Sequence, residues 1–147
     1  MRSNLKLTIG LIAGILFSLS ANAQKTVIAK EALPANAQTF LKSHFGTKKP
    51  SYIIEDKELL STEYKVQFDN KTEIEFDKKG NWREVDGNGD KIPSSIIPKK
   101  IASYVKTNFR KEKITKIEIG TFGYETKLTN GLELKFNLKG DFTKIDK

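Results

Sequence analysis

The chain has 147 residues, 37% of them hydrophobic and 10% aromatic, with a single His and no Cys. That composition supplies a core and argues against disorder, and it excludes a disulfide framework, a thiol nucleophile and, for want of ligands other than carboxylates, an ordinary zinc site. Lys and Arg number 26 against 18 Asp and Glu, a formal charge of +8, spread along the chain rather than gathered in blocks, which points to weak attraction toward anionic polymers or acidic proteins.

The chain opens with Arg2 and Lys6, a nearly unbroken apolar run from Leu7 to Leu19, and Ala21-Asn22-Ala23. This is the pattern of a secretory signal peptide over residues 1–23, cut before Gln24. The run falls short of the roughly 20 apolar residues that span a bilayer, so no stable membrane insertion is expected after cleavage. The protein is then periplasmic or secreted, and nucleic acid is not an expected partner; no aromatic-basic RNA signature is present either.

Ala37, Phe40, Leu41, His44 and Phe45 recur at helical spacing behind Pro34, which predicts an amphipathic helix with the proline near its first turn. A strand is expected over Tyr52 to Asp56. The period then falls to two: Tyr64, Val66 and Phe68 alternate with Lys65 and Gln67, and Ile74 and Phe76 with Glu73 and Glu75. Lys79-Gly80 turns into a last strand carrying Trp82 and Val85, whose spacing of three breaks alternation and suggests a bulge.

After Asp86-Gly-Asn-Gly-Asp90 the same order returns. Leu33 to Phe45 aligns with Ile97 to Phe109 at a shift of 64, matching Pro34 to Pro98, Lys42 to Lys106 and Phe45 to Phe109. Tyr64 to Asp86 aligns with Tyr124 to Asp146 at a shift of 60, matching Asn70 to Asn130, Phe76 to Phe136 and Gly80 to Gly140, with Phe142 in the place of Trp82. Ile114 to Ile119 is the counterpart of the first strand, and Asn130-Gly131 predicts a type I′ hairpin turn. The expected organisation is residues 24–86 as a first repeat, 87–91 as linker and 92–147 as a second repeat. Each unit is a helix followed by four antiparallel strands. One helical stripe covers one face of a sheet, so the expected fold is α+β: one curved sheet of about eight strands, helices on one face and a solvated polar face on the other.

A helix led by Leu33-Pro34 or Ile97-Pro98, the strand Tyr64-x-Val66-x-Phe68, the acidic-apolar strand Glu73-Ile74-Glu75-Phe76 and Lys79-Gly80-x-Trp82, twice over behind a signal peptide, resemble the PepSY-like domain family. That family is related in fold to the β-lactamase inhibitor protein. The resemblance covers nearly all the chain after the signal peptide, and its motifs are structural. It implies an exported protein whose tandem repeats form one sheet with a concave face, no established activity, and a protein-binding face directed in one version against an enzyme. The inhibitor's blocking residues find no position-by-position match, and its disulfides have no counterpart in a chain without Cys.

The residues themselves offer little for catalysis. His44 has Asn108 as its counterpart, which suits the edge of a core better than a catalytic base. In Asp86-Gly-Asn-Gly-Asp90 three oxygen donors sit at positions 1, 3 and 5 of an EF-hand-type loop, yet Lys91 and Ile97 stand where Gly and Glu belong, which favours a turn over calcium. Glu73, Glu75 and Glu133 read as outward charge on an open sheet rather than a glycosidase pair. The candidate binding face is therefore Lys65, Gln67, Glu73, Glu75, Glu125, Lys127, Glu133 and Lys135, with Trp82 added because its face is undecided and Trp is frequent in binding hot spots. Charge reversal at Lys65 and Lys127 is expected to spare stability and weaken binding. The expected function is a non-enzymatic module, without cofactor or metal, that binds a protein or peptide through this face, enzyme inhibition being one form. The alternative is an envelope structural or stress protein that binds small ligands or ions.

Overall fold

A computed structural model describes residues 23–146, so the expected signal peptide lies, apart from Ala23, outside the described residues. Nine strands, β1 (Gln24–Val27), β2 (Tyr52–Lys57), β3 (Thr62–Gln67), β4 (Glu73–Phe76), β5 (Trp82–Asp86), β6 (Ile114–Ile119), β7 (Gly123–Leu128), β8 (Glu133–Asn137) and β9 (Phe142–Asp146), accompany two helices, α1 (Ala35–Phe45) and α2 (Lys99–Asn108). The strands form one antiparallel sheet in chain order from β1 to β9. The sheet thus has one strand more than the eight expected. All four residues of β1 are exposed, so no burial period marks it in the sequence. Backbone pairing with β2, from Gln24 opposite Lys57 to Val27 opposite Ile54, holds it.

Pro34 and Pro98 stand at the helix N-termini with φ near −54°, a value that fits a first turn whose N–H groups have no partner. From α1, Ala37, Leu41 and Phe45 are buried, and from α2, Ile101 and Val105. Both helices lie on the sheet face that carries Val66, Ile74, Phe76 and Val85, then Ile117, Leu134 and Phe136, all at 2% exposure or less. Burying each such side chain contributes about 1.5–3 kcal/mol. The Phe40 ring meets Phe76 edge-on at 5.5 Å and 84°, and Tyr104 meets Phe136 at the same distance and angle. Ile92 and Ile96, in the connection from β5 to α2, are buried in the same core.

The Lys-Gly turns explain their own sequence. Gly80 (φ +81°) and Gly140 (φ +82°) occupy the left-handed region, where a side chain strains the backbone. A Cβ on Gly80 would lie 2.8 Å from both the Ala37 nitrogen and the Pro34 Cβ, so the start of α1 rests on this turn; at Gly140 the nearest atom is Lys100 Cβ, 3.1 Å away. Each turn is tied by an Asp/Asn pair with the two residues exchanged. Asp77 Oδ1 accepts the Lys79 and Asn81 N–H groups at 2.8 and 3.0 Å, and Asn137 Oδ1 accepts those of Lys139 and Asp141, both at 2.9 Å.

The turn at Asn130-Gly131 differs from expectation. Only Gly131 (φ +85°) is left-handed, whereas a type I′ turn needs both central residues there. Gly131 N–H donates to the Leu128 carbonyl and Leu128 N–H to Leu132, giving a three-residue loop whose glycine takes the left-handed place. In the corresponding loop after Phe68 that place falls to Lys71, with φ +64°.

Gly80→Ala should cost about 3 kcal/mol, from φ strain plus collision with helix backbone, and Gly140→Ala about 1–2 kcal/mol, since its nearest contact, Lys100 Cβ at 3.1 Å, is less severe. Equal losses in urea unfolding would show that α1 does not rest on its turn as described. Lys71→Gly should stabilise by about 0.5–1 kcal/mol; a loss in the same assay would contradict the strain at this position.

Candidate functional site

The pleat sends every second side chain away from the helices. Lys65 faces Glu75 and Gln67 faces Glu73 across β3 and β4, while Glu125 faces Lys135 and Lys127 faces Glu133 across β7 and β8. Eight of the nine expected residues thus share one face, in two groups. Trp82 does not join them. A register shift between Glu75 and Phe76 places it opposite Phe76, on the helix side, with its ring 6.1 Å from Phe40. The broken alternation at Trp82 is that bulge, and its aromatic surface is spent on packing α1.

The centre of the face is built by residues that the sequence reading left out. Glu84 pairs with Glu118 and Asp86 with Lys116 where β5 meets β6. Glu84 also lies opposite Glu75, and Glu118 opposite Glu125. One row therefore runs Lys65, Glu75, Glu84, Glu118, Glu125, Lys135, four glutamates side by side between two lysines. The alternation around Lys116 and Glu118 was a usable signal for their face. Their place beside Glu84 was not, because α2 separates β5 from β6 in the chain.

Like charges directly opposite destabilise a sheet, and lysines at the margins offset part of this. Lys65 Nζ lies 2.8 Å from both Glu73 and Glu75. Lys116 reaches Glu84 at 2.8 Å and Asp86 at 4.0 Å. Lys135 reaches Glu125 at 3.1 Å and Asp146 at 2.8 Å, and Lys127 reaches Glu133 at 3.7 Å. Glu118 has no ion pair among the described residues. Reversing Lys65 would thus leave three carboxylates together and would cost stability, contrary to the expectation for that residue; Lys127, half-exposed with one long contact, remains suited to the exchange.

The titrations report the local field. Burial pushes the Glu84 carboxyl above its ordinary value, Lys116 opposes this, and Glu75 and Glu118 add to it. Lys116 is also raised: burial works against its charged form, but the hydrogen bond to Glu84 and the charges of Glu84, Asp86 and Glu118 prevail. Hydrogen bonds to Glu73 and Glu75 raise Lys65, and those to Asp146 and Glu125 raise Lys135. Three lysines held up by carboxylate partners mark negative potential on this face, on a chain whose formal charge is +8, whereas Glu84 rises chiefly through burial.

The remaining candidates have structural tasks. His44 Nδ1 lies 2.8 Å from Ser95 Oγ and its ring 4.6 Å from Phe40, which ties α1 to the segment before α2. Asp86 Oδ1 accepts the Asn88 N–H at 2.7 Å, and the Asp90 N–H donates to the Gly87 carbonyl, so the segment forms a turn. Among the described residues no group of three or more His, Cys, Asp or Glu is arranged to hold a metal ion.

Because Glu84 titrates above its unfolded value, the native state holds this proton more tightly, and its contribution to stability falls as pH rises through the window between the two values. Glu84→Gln should therefore gain on the wild type as pH is raised from about 4 to about 7, read from urea midpoints. A difference that stays constant with pH would contradict the shift.

A family model described as "Putative beta-lactamase-inhibitor-like, PepSY-like" matches residues 19–71 and 62–144. No curated protein matches the sequence. Among solved structures, a "putative calcium-regulated periplasmic protein" from Bacteroides thetaiotaomicron is 41% identical, with a TM-score of 0.80 over 84% of this chain and 97% of that one. Two chains from Bacteroides vulgatus, each described as a "putative periplasmic protein", are 37% and 36% identical, each with a TM-score of 0.79 over 84% of this chain and 98% and 100% of theirs. Among the described residues no helix is long and apolar enough to cross a membrane. This chain, like those relatives, is a periplasmic or secreted protein, and it belongs to the PepSY-like, β-lactamase-inhibitor-like family.

Proposed function

We propose that the protein is a non-enzymatic binding module that recognises a protein or peptide through the open sheet face. Enzyme inhibition, in keeping with the family description, is one form of this reading. The observation that carries it is the row Glu75, Glu84, Glu118, Glu125. Four glutamates in register at the centre of a sheet repel one another, and ion pairs from Lys65, Lys116 and Lys135 reach only three of them. A cationic segment of a partner would complement them, with Lys65, Lys127 and Lys135 setting the margins. The chain is read as two copies of one unit, α1 with β2 to β5 and α2 with β6 to β9, which joins two acidic halves into one row. The recurring aromatic contacts and the left-handed Gly80 and Gly140 support this.

A second reading, an envelope structural or stress protein that binds small ligands or ions, draws on the relative described as calcium-regulated. Asp86 is already engaged by its own turn and by Lys116, which favours the first reading.

Glu118→Lys should weaken binding of the captured partner about tenfold or more, with added salt weakening the wild-type complex in the same direction. Its unfolding midpoint should be unchanged or higher, because Glu118 has repulsive neighbours and no ion pair among the described residues. Undiminished, salt-independent binding would refute the face as the site, and a calcium-induced rise in Tm would favour the second reading.

A further inference from the structure

An open groove of about 800 Å³ lies on the helix side, away from the acidic row, between α2, the loop after it and the start of β6. Its floor is apolar, formed by Ile97, Ala102, Val105 and Ile114. Lys106, Arg110 and Lys113 stand on its rim, all exposed. None of these three has an ion pair among the described residues, whereas Lys65, Lys116, Lys127 and Lys135 on the sheet face all do. The one acidic residue lining the groove, Glu112, accepts a hydrogen bond from Thr129, which also accepts the Lys113 N–H at 3.1 Å and so pins the loop.

The first half of the chain carries a longer, polar side chain at the matching position of its helix. At the shift of 64, Ala102 corresponds to Gln38, Ile97 to Leu33 and Arg110 to Gly46. Gln38 Nε2 donates to the Leu33 carbonyl at 2.8 Å and to that of Glu31 at 3.2 Å, laying its amide along the side of α1. In α2 an alanine stands in place of this glutamine, and a guanidinium without an ion pair among the described residues stands where the first half has glycine. The volume falls in the range of small-molecule sites.

We propose that the groove binds a small amphipathic anion: an apolar chain on the floor of Ile97, Ala102, Val105 and Ile114, and a carboxylate or phosphate head among Lys106, Arg110 and Lys113. This site is distinct from the sheet face and rests on the two-copy correspondence only for the role of Ala102. The head matches the cations without ion pairs among the described residues, and the chain matches the apolar floor.

The test is calorimetric titration of the purified exported protein, stripped of lipid, with dodecanoate below its micellar concentration. The proposal predicts saturable binding with one site. It predicts dodecanol at least about tenfold weaker, and inorganic phosphate without measurable binding. Dodecyl phosphate against dodecanoate then shows which head the cations prefer. Ala102→Gln should set a long polar side chain on the floor and reduce dodecanoate affinity about tenfold or more at unchanged Tm. Arg110→Gln should weaken dodecanoate but not dodecanol, and it carries the test if Ala102→Gln does not fold. No saturable binding to folded wild type, or wild-type affinity in either folded variant, would overturn the proposal.

Discussion

Two helices cover one face of a nine-stranded sheet, and the side chains of the other face have no cover within the described chain. That asymmetry organises the rest of the molecule. On the covered side, alternation delivers Val66, Ile74, Phe76, Val85, Ile117, Leu134 and Phe136 to the core. On the open side the same pleat delivers a charge lattice. The placement of the helices depends in turn on two tight turns, since α1 sits close enough to Gly80 that a single Cβ would strike its backbone. The Lys-Gly step of the sequence is thus a docking surface for a helix as well as a hairpin turn.

The open face has a charge of the wrong sign for its chain. The sequence is basic overall, yet the sheet centre collects Glu75, Glu84, Glu118 and Glu125 into one row. Lys116, the one lysine at the centre of the face, is held by Glu84, and its upward shift, set by Glu84, Asp86 and Glu118 against burial, points to negative potential. Solubility requires only mixed charges on such a face. Ordering four like charges in register goes further, and a partner of opposite charge gives it a reason. The cations that do not serve this lattice lie partly on the other side, around α2 and its following loop, so the molecule is polarised from sheet to helices.

Much of this was legible in the sequence, for identifiable reasons. Helical spacing at Ala37, Leu41 and Phe45 and period two at Tyr64, Val66, Ile74 and Phe76 gave elements and faces, because each of these residues has one buried side. The strand β1 escaped, because residues exposed throughout carry no period. Trp82 was undecided because a bulge interrupts alternation just where it enters β5. The type of the Asn130-Gly131 turn depends on loop length, which dipeptide composition does not encode. Eight of the nine residues expected on the open face share it, but its centre was missed: Glu84 meets Glu118 only through pairing across a helix-long excursion, and no local pattern announces that contact.

The central claim is that the acidic sheet face, and no other surface, meets the protein partner. The most direct measurement places a photoreactive residue at Lys127 on the open face and, in a second protein, at Lys42 on the exposed side of α1, then crosslinks each in the native cell envelope. The account predicts one dominant protein adduct from position 127, none from position 42, and loss of the adduct when Glu118 is reversed in charge. An adduct formed equally from both positions, or formed only from the helix side, would contradict it.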